Sequence, residues 1–422
     1  MTQRTKKGLY DPSFDRDSCG FGLIANIDDQ PSHWVVKTAI DSLKRLTHRG
    51  AVSADGKTGD GCGLLLKFPK TFFLEKASEL NIEVCEEFAV GTIFLSPNEA
   101  ITEKVKKKIE SALSKEELEC AGWRKVPINK KVCGEMALNT LPNIEQIFVN
   151  CPQNISSESF NRRLFLARRR AEQDIKELDS STYINSLSSE TISYKGMVMP
   201  DVLAIFYPDL TDTLIETSAC LFHQRFSTNT APSWSLAQPF RAIAHNGEIN
   251  TYKGNKNWMK VHEQEMSSPL FDNVENLKPV IQKGVSDSAA LDNVFELLNK
   301  SGQSAPLAKL MLVPDAWSKK NKTLSKSHQQ LFNFLNSTME PWDGPAAIAA
   351  TDNEWVIAAN DRNGLRPLRY AITKDKMLFA GSETGMIELN EKKILTKGRL
   401  GPGEIIGIRI EKGKVFSNSK IK

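Results

Sequence analysis

A short apolar run near the start of the chain constrains the fold most. In Asp17-Ser-Cys-Gly-Phe-Gly-Leu-Ile-Ala-Asn26, a cysteine follows a polar leader and precedes glycine-punctuated apolar residues, a pattern typical of a β-strand. Gly20 and Gly22 leave space for a substrate to approach the backbone. A lone cysteine at the start of a strand is more often a buried structural residue than a nucleophile. Other chemistry must therefore accompany Cys19 before it is interpreted as catalytic.

A catalytic thiol needs a base, because its ordinary pKa of about 8.5 leaves only a few per cent thiolate at neutral pH. Removal of residues 1–18 would supply that base. The α-amino group of a new N-terminal Cys19 would have a pKa of about 7.7–8.0 and could accept the thiol proton directly or through one water. On this reasoning residues 1–18 are a propeptide and residues 19–422 are the functional domain.

Composition excludes several classes of protein. The chain has 422 residues, of which 25% are charged, and a net charge of +4, which favours neither nucleic acid nor an anionic membrane as partner. It has no apolar run of about 18–20 residues and no apolar secretory leader, so a cytoplasmic protein is expected. The seven cysteines are scattered without a Cys-x-x-Cys pair. This argues against a disulfide framework, a zinc ribbon or an iron–sulfur cluster, and no metal site is expected.

The next segments alternate between helix, loop and strand. Apolar residues at helical spacing predict one helix between Val35 and Leu46 that stops near Gly50, and residues 64–68 predict a strand. The glycine-rich stretch Gly59-Asp-Gly-Cys-Gly63 lacks the frame of a phosphate loop and is interpreted as a tight turn beside the nucleophile. Residues 71–215 are interpreted as an elaboration, with helices near 101–117 and 158–177 and strands near 88–95, 145–150 and 192–196.

That elaboration carries a basic cluster, Arg162, Arg163 and Arg168-Arg-Arg170, on a helical stretch that also carries acids. A solvated helix face is the favoured interpretation over an anion site. The last part, residues 346–422, is predicted to form β-hairpins. Residues 346–350 pair with 355–359, and residues 370–372 pair with 377–380. The arginine-rich loop Asp361–Pro367 could line the mouth of a pocket.

The segment from Cys220 to Asp292 supplies what Cys19 needs. A strand from Cys220 leads into a loop with Arg225, whose planar guanidinium suits an α-carboxylate. A second strand, residues 240–244, precedes Asn246-Gly247, which offers a side-chain amide and an unhindered N–H for an oxyanion hole. Asp287 opens a helix, as a cap or as the partner of a substrate ammonium. Taken singly, these residues are more often a surface arginine, a turn and a helix cap. Together with Cys19 they supply a nucleophile, oxyanion donors and a charge partner for each end of an α-amino acid.

At these residues the chain resembles a class II glutamine amidotransferase, a member of the N-terminal nucleophile hydrolases. The resemblance is closest to the amidotransferase domain of the glutamate synthase large subunit. The motifs that carry it keep the family's order along nearly the whole chain: Asp17-Ser-Cys-Gly-Phe-Gly22, Leu46-Thr-His-Arg-Gly-Ala51, Gly59-Asp-Gly61, His223-Gln-Arg-Phe-Ser-Thr-Asn-Thr230, Ala244-His-Asn-Gly-Glu-Ile-Asn250, Gly284-Val-Ser-Asp-Ser288 and Asp361-Arg-Asn-Gly-Leu-Arg-Pro367.

The resemblance implies an α+β fold, a four-layer αββα sandwich, and hydrolysis of L-glutamine to glutamate and ammonia through a γ-glutamyl thioester. It implies that Cys19 is the nucleophile, that Asn246 and Gly247 form the oxyanion hole, and that Arg225 and Asp287 hold the substrate carboxylate and ammonium. Seven further residues of the same motifs are secondary pocket candidates: His48, Arg49, Gly50, Gly59, Asp60, Thr228 and His245.

The resemblance also implies partners outside this chain. In the whole enzyme an FMN-binding synthase part with a 3Fe–4S cluster uses the ammonia to convert 2-oxoglutarate to glutamate, and a small NADPH-oxidising subunit is a further expected partner. No cofactor is expected on these 422 residues themselves. The chain is then a fragment of a longer polypeptide or a subunit of a split enzyme.

Two rival interpretations remain. Another class II amidotransferase is disfavoured, because roughly 200 positions separate Cys19 from Arg225 here and the other families place these motifs far closer. The second rival is an unprocessed, non-catalytic module that binds glutamine.

Overall fold

The computed structural model describes residues 19–225, 231–316, 325–352 and 354–422. The leader 1–18 and Thr228 lie outside these ranges. The strands are β1 Gly20–Asn26, β2 Cys62–Lys67, β3 Phe88–Leu95, β4 Glu119–Lys125, β5 Asn143–Asn150, β6 Tyr183–Ile184, β7 Thr191–Gly196, β8 Ala219–Gln224, β9 Ile243–Gly247, β10 Ala346–Thr351, β11 Trp355–Asn360, β12 Arg369–Thr373, β13 Met377–Gly381, β14 Ile394–Arg399, β15 Ile405–Arg409 and β16 Lys414–Phe416. The helices are α1 His33–Arg45, α2 Lys70–Glu79, α3 Glu99–Lys115, α4 Glu135–Asn139, α5 Ser157–Lys176, α6 Leu203–Phe206, α7 Tyr252–Glu265, α8 Asp287–Lys300, α9 Ala305–Leu312, α10 Lys326–Thr338 and α11 Asn418–Ile421.

The strand that follows Cys19 lies inside a seven-stranded antiparallel sheet of order β14-β12-β13-β1-β8-β2-β7. Alternate residues of β1 face opposite sides: Phe21 and Leu23 point into a core shared with a second sheet, whereas Ile24 packs beneath helices. Both faces are buried, which explains why the strand is apolar at successive positions instead of alternating with polar residues.

The second sheet has five antiparallel strands in the order β16-β15-β11-β10-β9. Its inner face contributes several small side chains, among them Ala244, Ala347, Ala349 and Ala358, to the core between the sheets. Small side chains on one face let the larger ones of the other sheet interdigitate at native packing density. The hairpin of β10 and β11 and that of β12 and β13 confirm the pairing predicted for this part of the chain.

Helices cover the outer face of each sheet. Residues of α1 and α2 pack with outward residues of β1 and β2, and residues of α8 and α9 pack with β9, β10 and β11. The sequence of layers is therefore helix, sheet, sheet, helix, and the predicted αββα sandwich is confirmed. Within the described part of the chain, no helix has the length and apolar character that a membrane span requires.

The stretch 71–215 contains a third sheet of order β4-β5-β3-β6, which packs with α3 and α5 around a core of its own. The interpretation as an elaboration differs from the structure at its ends. Strand β7 pairs with β2 along residues 62–67 and so belongs to the seven-stranded sheet. Helix α2 packs on that sheet as well. Backbone pairing with β2 places β7, and the outward apolar side chains of β2 pack with α2; no local pattern in residues 71–215 reveals either contact.

The interpretation of the basic cluster as a solvated face is wrong for Arg168 and Arg169, which are buried. Arg168 binds Glu172 at 2.7 Å and Glu296 of α8 at 2.6 Å, and Arg241 binds Glu172 at 2.9 Å. Burial alone would raise the pKa of Glu172, but the three surrounding guanidinium groups lower it to about 2. The acids of this stretch and of α8 are what make burial of these arginines tolerable.

A larger side chain at Ala349 should destabilise the protein, since it must enter the filled space between the sheets. We expect Ala349→Leu to lower the free energy of unfolding by about 1–3 kcal/mol in a denaturant titration. The matched control is Ala100→Leu, because Ala100 is exposed on α3 and should change stability by less than about 0.5 kcal/mol. Equal stability of the two variants would contradict a close-packed inner face.

Candidate active site

Cys19 is half-buried and immediately precedes β1. The start of this strand is fixed from one side by Ser382, whose N–H donates to the carbonyl of Phe21 at 3.0 Å and whose hydroxyl accepts from the Phe21 N–H at 3.3 Å. A Cβ on Gly20 would lie 3.0 Å from Leu46 Cβ, and one on Gly22 would lie 2.5 Å from the Phe222 ring. Close packing of protein side chains, rather than access for a substrate, accounts for these two glycines.

Asn246 and Gly247 are the last residues of β9, so the sequence-based placement of the strand at 240–244 is too early. Residues 241–243 instead donate their backbone N–H groups to the buried carboxylate of Asp292 on α8. The side-chain amide of Asn246 donates from Nδ2 to the carbonyl oxygen of Cys19 at 2.7 Å. The expected oxyanion donor and the expected nucleophile are therefore in direct contact.

Gly247 is required by geometry. Its φ is +144°, a conformation that side-chain-bearing residues rarely adopt, and a Cβ at this position would lie 1.7 Å from the carbonyl oxygen of Pro345. The next residue, Glu248, donates its N–H to that same carbonyl at 3.0 Å. The backbone that follows Asn246 is thus clamped against the segment leading into β10.

Arg225 follows β8 directly and is buried. Its backbone N–H donates to Gly61 at 2.8 Å, and its guanidinium lies 3.5 Å from the carbonyl oxygen of Asp60. Burial lowers the pKa of Arg225, whereas Cys19, Asp60 and Asp287 act on it in the opposite direction. The guanidinium is therefore within electrostatic reach of both the thiol and the Asp287 carboxylate.

Asp287 is the first residue of α8, and the cap of that helix is Ser286, whose hydroxyl accepts from the Ala289 N–H at 3.2 Å. Asp287 is thus not the cap, one of the two alternatives left by the sequence. One oxygen of its carboxylate accepts from the Ile249 N–H at 2.7 Å, which ties α8 to the backbone beyond Gly247. The group is half-buried at a helix N-terminus, where the helix dipole favours a negative charge.

The secondary candidates divide into two groups. Asp60 and His245 adjoin the residues described above, and the His245 ring is buried with Nδ1 2.7 Å from the Ser288 hydroxyl. Burial is the main cause that lowers the pKa of His245. His48 and Arg49 pair with Glu383, at 2.9 and 2.7 Å, and a Cβ on Gly20 would lie 3.2 Å from the Arg49 side chain.

The two remaining glycine candidates serve packing. A Cβ on Gly50 would lie 1.6 Å from the amide nitrogen of buried Gln224, and one on Gly59 would lie 3.0 Å from the Val198 carbonyl oxygen. Both positions let a loop approach a strand end closely, which is compatible with the predicted tight turn. Thr228 lies outside the described residues.

Sequence reasoning missed the organising role of Asp361 in the loop Asp361–Pro367. Its buried carboxylate accepts from the N–H groups of Ala346, Asn363 and Leu365 at 3.0, 2.8 and 3.2 Å. An aspartate two positions before Asn-Gly, as in Asp361-Arg-Asn-Gly364, is a turn signal that could have indicated it. Asp361 and Arg366 also act electrostatically on His245, so this loop lies close to the end of β9.

The family profile of class II glutamine amidotransferases matches residues 19–422. The chain belongs to this family. It is similar to the large chain of NADPH-dependent glutamate synthase of Azospirillum brasilense, at 46% identity over 99% of this chain, and to that of Bacillus subtilis, at 39% over 99%. It is 40% identical over 98% of its length to ferredoxin-dependent glutamate synthase 2 of Arabidopsis thaliana. The amidotransferase chain spans only 28, 27 and 26% of these relatives.

The solved structure of the allosteric regulatory enzyme of purine biosynthesis is also similar, with 12% identity and a TM-score of 0.42. That similarity covers 96% of this chain and 49% of the solved one.

A methyl group at position 247 should strain this class II amidotransferase domain. We expect Gly247→Ala to lower the free energy of unfolding by about 2–4 kcal/mol, because φ must change and the Pro345 carbonyl must move. The control is Gly254→Ala in the first turn of α7, where a Cβ would have no described atom within 4 Å apart from its own helix backbone and chain neighbours. That change should be neutral or stabilise by up to about 1 kcal/mol. The free energies of unfolding are measured by denaturant titration. A similar decrease in both variants would contradict a specific strain at position 247.

Proposed function

We propose that this domain hydrolyses L-glutamine to glutamate and ammonia through a γ-glutamyl thioester on Cys19. The observation that carries the proposal is the 2.7 Å hydrogen bond between Asn246 Nδ2 and the carbonyl oxygen of Cys19. It supports a role for Asn246 as a donor beside the nucleophile. Membership in the class II amidotransferase family, whose profile begins its match at Cys19, supports the same reaction.

The charged groups fit the two ends of an α-amino acid. In the proposed complex the Arg225 guanidinium binds the α-carboxylate as a planar fork, and the Asp287 carboxylate binds the α-ammonium. The side chain of glutamine then extends toward Cys19, which lies within electrostatic reach of Arg225. Each charged end of the substrate finds an opposite charge, and the uncharged amide is left for the thiol.

The proposed active form begins at Cys19. An acylated nitrogen has no lone pair to accept the thiol proton, whereas a free α-amino group has a pKa close to the working pH. Residues 1–18 lie outside the described structure, so their removal is part of the proposal.

The chemistry proceeds through two acyl transfers. The thiolate attacks the γ-carbonyl carbon, and the negative charge that develops on oxygen is stabilised by Asn246 and by the Gly247 N–H. An amide nitrogen carries two hydrogens, so Asn246 can keep its bond to the Cys19 carbonyl and still donate to this oxyanion. The α-ammonium returns its proton to the leaving nitrogen as ammonia departs. Water then attacks the thioester with the α-amino group again as base, and glutamate leaves.

We further propose that the ammonia is used by the remainder of a glutamate synthase to convert 2-oxoglutarate to glutamate. The names of the curated relatives, which include NADPH- and ferredoxin-dependent enzymes, support this, and they leave the electron donor open. The FMN and the 3Fe–4S cluster belong to that remainder in the proposal. The described residues offer no group of three or more His, Cys, Asp or Glu side chains fit to hold a metal. A small NADPH-oxidising subunit and a cytoplasmic location stay predictions.

Cys19 should be the essential thiol. Cys19→Ser should abolish nearly all glutaminase turnover, because an alkoxide is far harder to form than a thiolate. Cys62→Ser is the control, since Cys62 is buried with its Sγ 3.2 Å from the Val198 carbonyl, and burial raises its pKa. Ammonia release and the intact mass are measured together for the wild-type protein and both variants. Comparable loss in both variants, or full turnover by protein that retains Met1, would refute the assignment.

Substrate binding and transition-state stabilisation should separate in steady-state kinetics. Truncating one partner of a desolvated charge pair costs about 2–5 kcal/mol, so Arg225→Ala should lower kcat/KM by roughly 30-fold to several thousand-fold, mainly through KM. Arg225→Lys should rescue this only in part, because a point charge cannot reproduce the fork. Asn246→Ala should lower kcat by about 10²–10³ with a smaller change in KM. An unchanged KM in Arg225→Ala, or a raised KM alone in Asn246→Ala, would require the roles given to these residues to be withdrawn.

A further inference from the structure

His223 joins the two sheets of the sandwich beside the proposed oxyanion hole. It lies on β8 opposite Phe21 of β1, and its side chain is completely buried. Its Nε2 lies 3.1 Å from the carbonyl oxygen of His245 on β9. A carbonyl oxygen only accepts, so Nε2 carries the hydrogen and donates it. The bond therefore runs from the seven-stranded sheet to the residue that precedes Asn246.

The backbone of His245 is also held by Gln238. The buried side-chain amide of Gln238 accepts from the His245 N–H at 2.9 Å and donates to the His245 carbonyl at 3.3 Å. Among the residues that the structure describes, β9 is the edge strand of its sheet, so the peptide groups on its outer side have no neighbouring strand there. His223 and Gln238 supply the partners that such a strand would have provided.

The clamped carbonyl shares one rigid peptide plane with the backbone nitrogen of Asn246. Rotation of that plane would redirect the Asn246 side chain away from the Cys19 carbonyl, to which it donates at 2.7 Å. An oxyanion donor stabilises the transition state only while it is held in place before the reaction. His223 and Gln238 donate to the carbonyl of that plane, and the His245 N–H donates to Gln238 from the plane before it, so both planes are held in orientation.

We infer that His223 is a positioning residue for the oxyanion hole, acting with Gln238 through the His245 backbone on Asn246. The inference rests on the proposed glutaminase function and names a determinant of its rate. His223 touches neither the substrate nor the reacting atoms in this assignment.

The ionisation of His223 agrees with a positioning role. Burial lowers its pKa to about 3; the hydrogen bond to the His245 carbonyl opposes this shift, and the His245 and Arg225 charges add to it. The imidazole is therefore neutral over the range in which the proposed α-amino base works. It holds one proton on Nε2 and exchanges none with the substrate.

The test uses three single variants with glutamine as the substrate. His223→Leu removes the donor and should lower kcat by about 10- to 100-fold with less than about a threefold change in KM, since a misaligned donor is worth less than the 10²–10³ of an absent one. His223→Gln keeps a donor near the place of Nε2 and should restore kcat to within about fivefold of wild type. Thr102→Val is the control, because it also removes a buried side-chain bond to a carbonyl, the 2.9 Å bond to Ser96, but on α3. It should leave kcat and KM unchanged.

A double-mutant cycle separates positioning from a general effect on folding. If His223 acts through Asn246, His223→Leu should lower kcat by less than about threefold when Asn246 is already Ala. Equal losses in both backgrounds would overturn the inference, as would a rise in KM at unchanged kcat. The inference would also be overturned if His223→Gln, shown to be folded by circular dichroism, had a kcat as low as that of His223→Leu. Absence of turnover in processed wild-type protein would overturn the proposed function itself, whereas wild-type turnover with normal kcat in His223→Leu would overturn this inference alone.

Discussion

The hydrogen bond from Asn246 to the carbonyl of Cys19 is the interaction on which the arrangement of the site depends, because it joins the two sheets at the point where β1 begins and β9 ends. It forms only if the sheets approach closely. The alanines of β9, β10 and β11 on the inner face permit that approach, since larger side chains on both faces would hold the layers further apart. The packing between the sheets therefore also determines the geometry of the proposed oxyanion hole.

The sequence predicts well what is decided locally. The hairpins after residue 346 follow from apolar runs separated by turn residues and are confirmed. The roles of Cys19, Arg225, Asn246 and Asp287 stay predictions, and the structure brings Asn246 against Cys19. Sequence reasoning fails where distant partners decide. The N–H groups of residues 241–243 are expected to pair within a strand, but they donate to the Asp292 carboxylate, about 50 positions away in the sequence. His223 and Gln238 contact His245 with no periodic pattern that would mark them.

The buried charges of α5 show why the elaboration and the sandwich behave as one unit. Glu172 of α5 accepts from Arg241, which comes just before β9, and Arg168 reaches Glu296 of α8. Breaking one partner of such a network leaves an uncompensated charge in a low-dielectric interior, which typically costs about 3–5 kcal/mol. Displacement of α5 relative to α8 would separate these ion pairs and is therefore energetically costly. Arg241 belongs to the backbone that leads to Asn246, and its ion pair with Glu172 anchors that backbone to α5. The elaboration therefore contributes to the placement of the proposed site.

Charge is distributed along the site in a way that suits acyl transfer. Arg225 and Asp287 are the groups proposed to bind the two charged ends of the amino acid, whereas Asn246 and the Gly247 N–H are oriented dipoles beside two buried histidines whose pKa values are lowered by burial. The Arg225 cation, within electrostatic reach of the thiol, stabilises the thiolate of the resting enzyme as well as the later oxyanion, and equal stabilisation of both leaves the barrier unchanged. Oriented amide and N–H dipoles instead favour the charge where it develops. His223, whose pKa burial lowers to about 3, is neutral beside these dipoles, so it positions a donor of the proposed oxyanion hole without adding a charge to it.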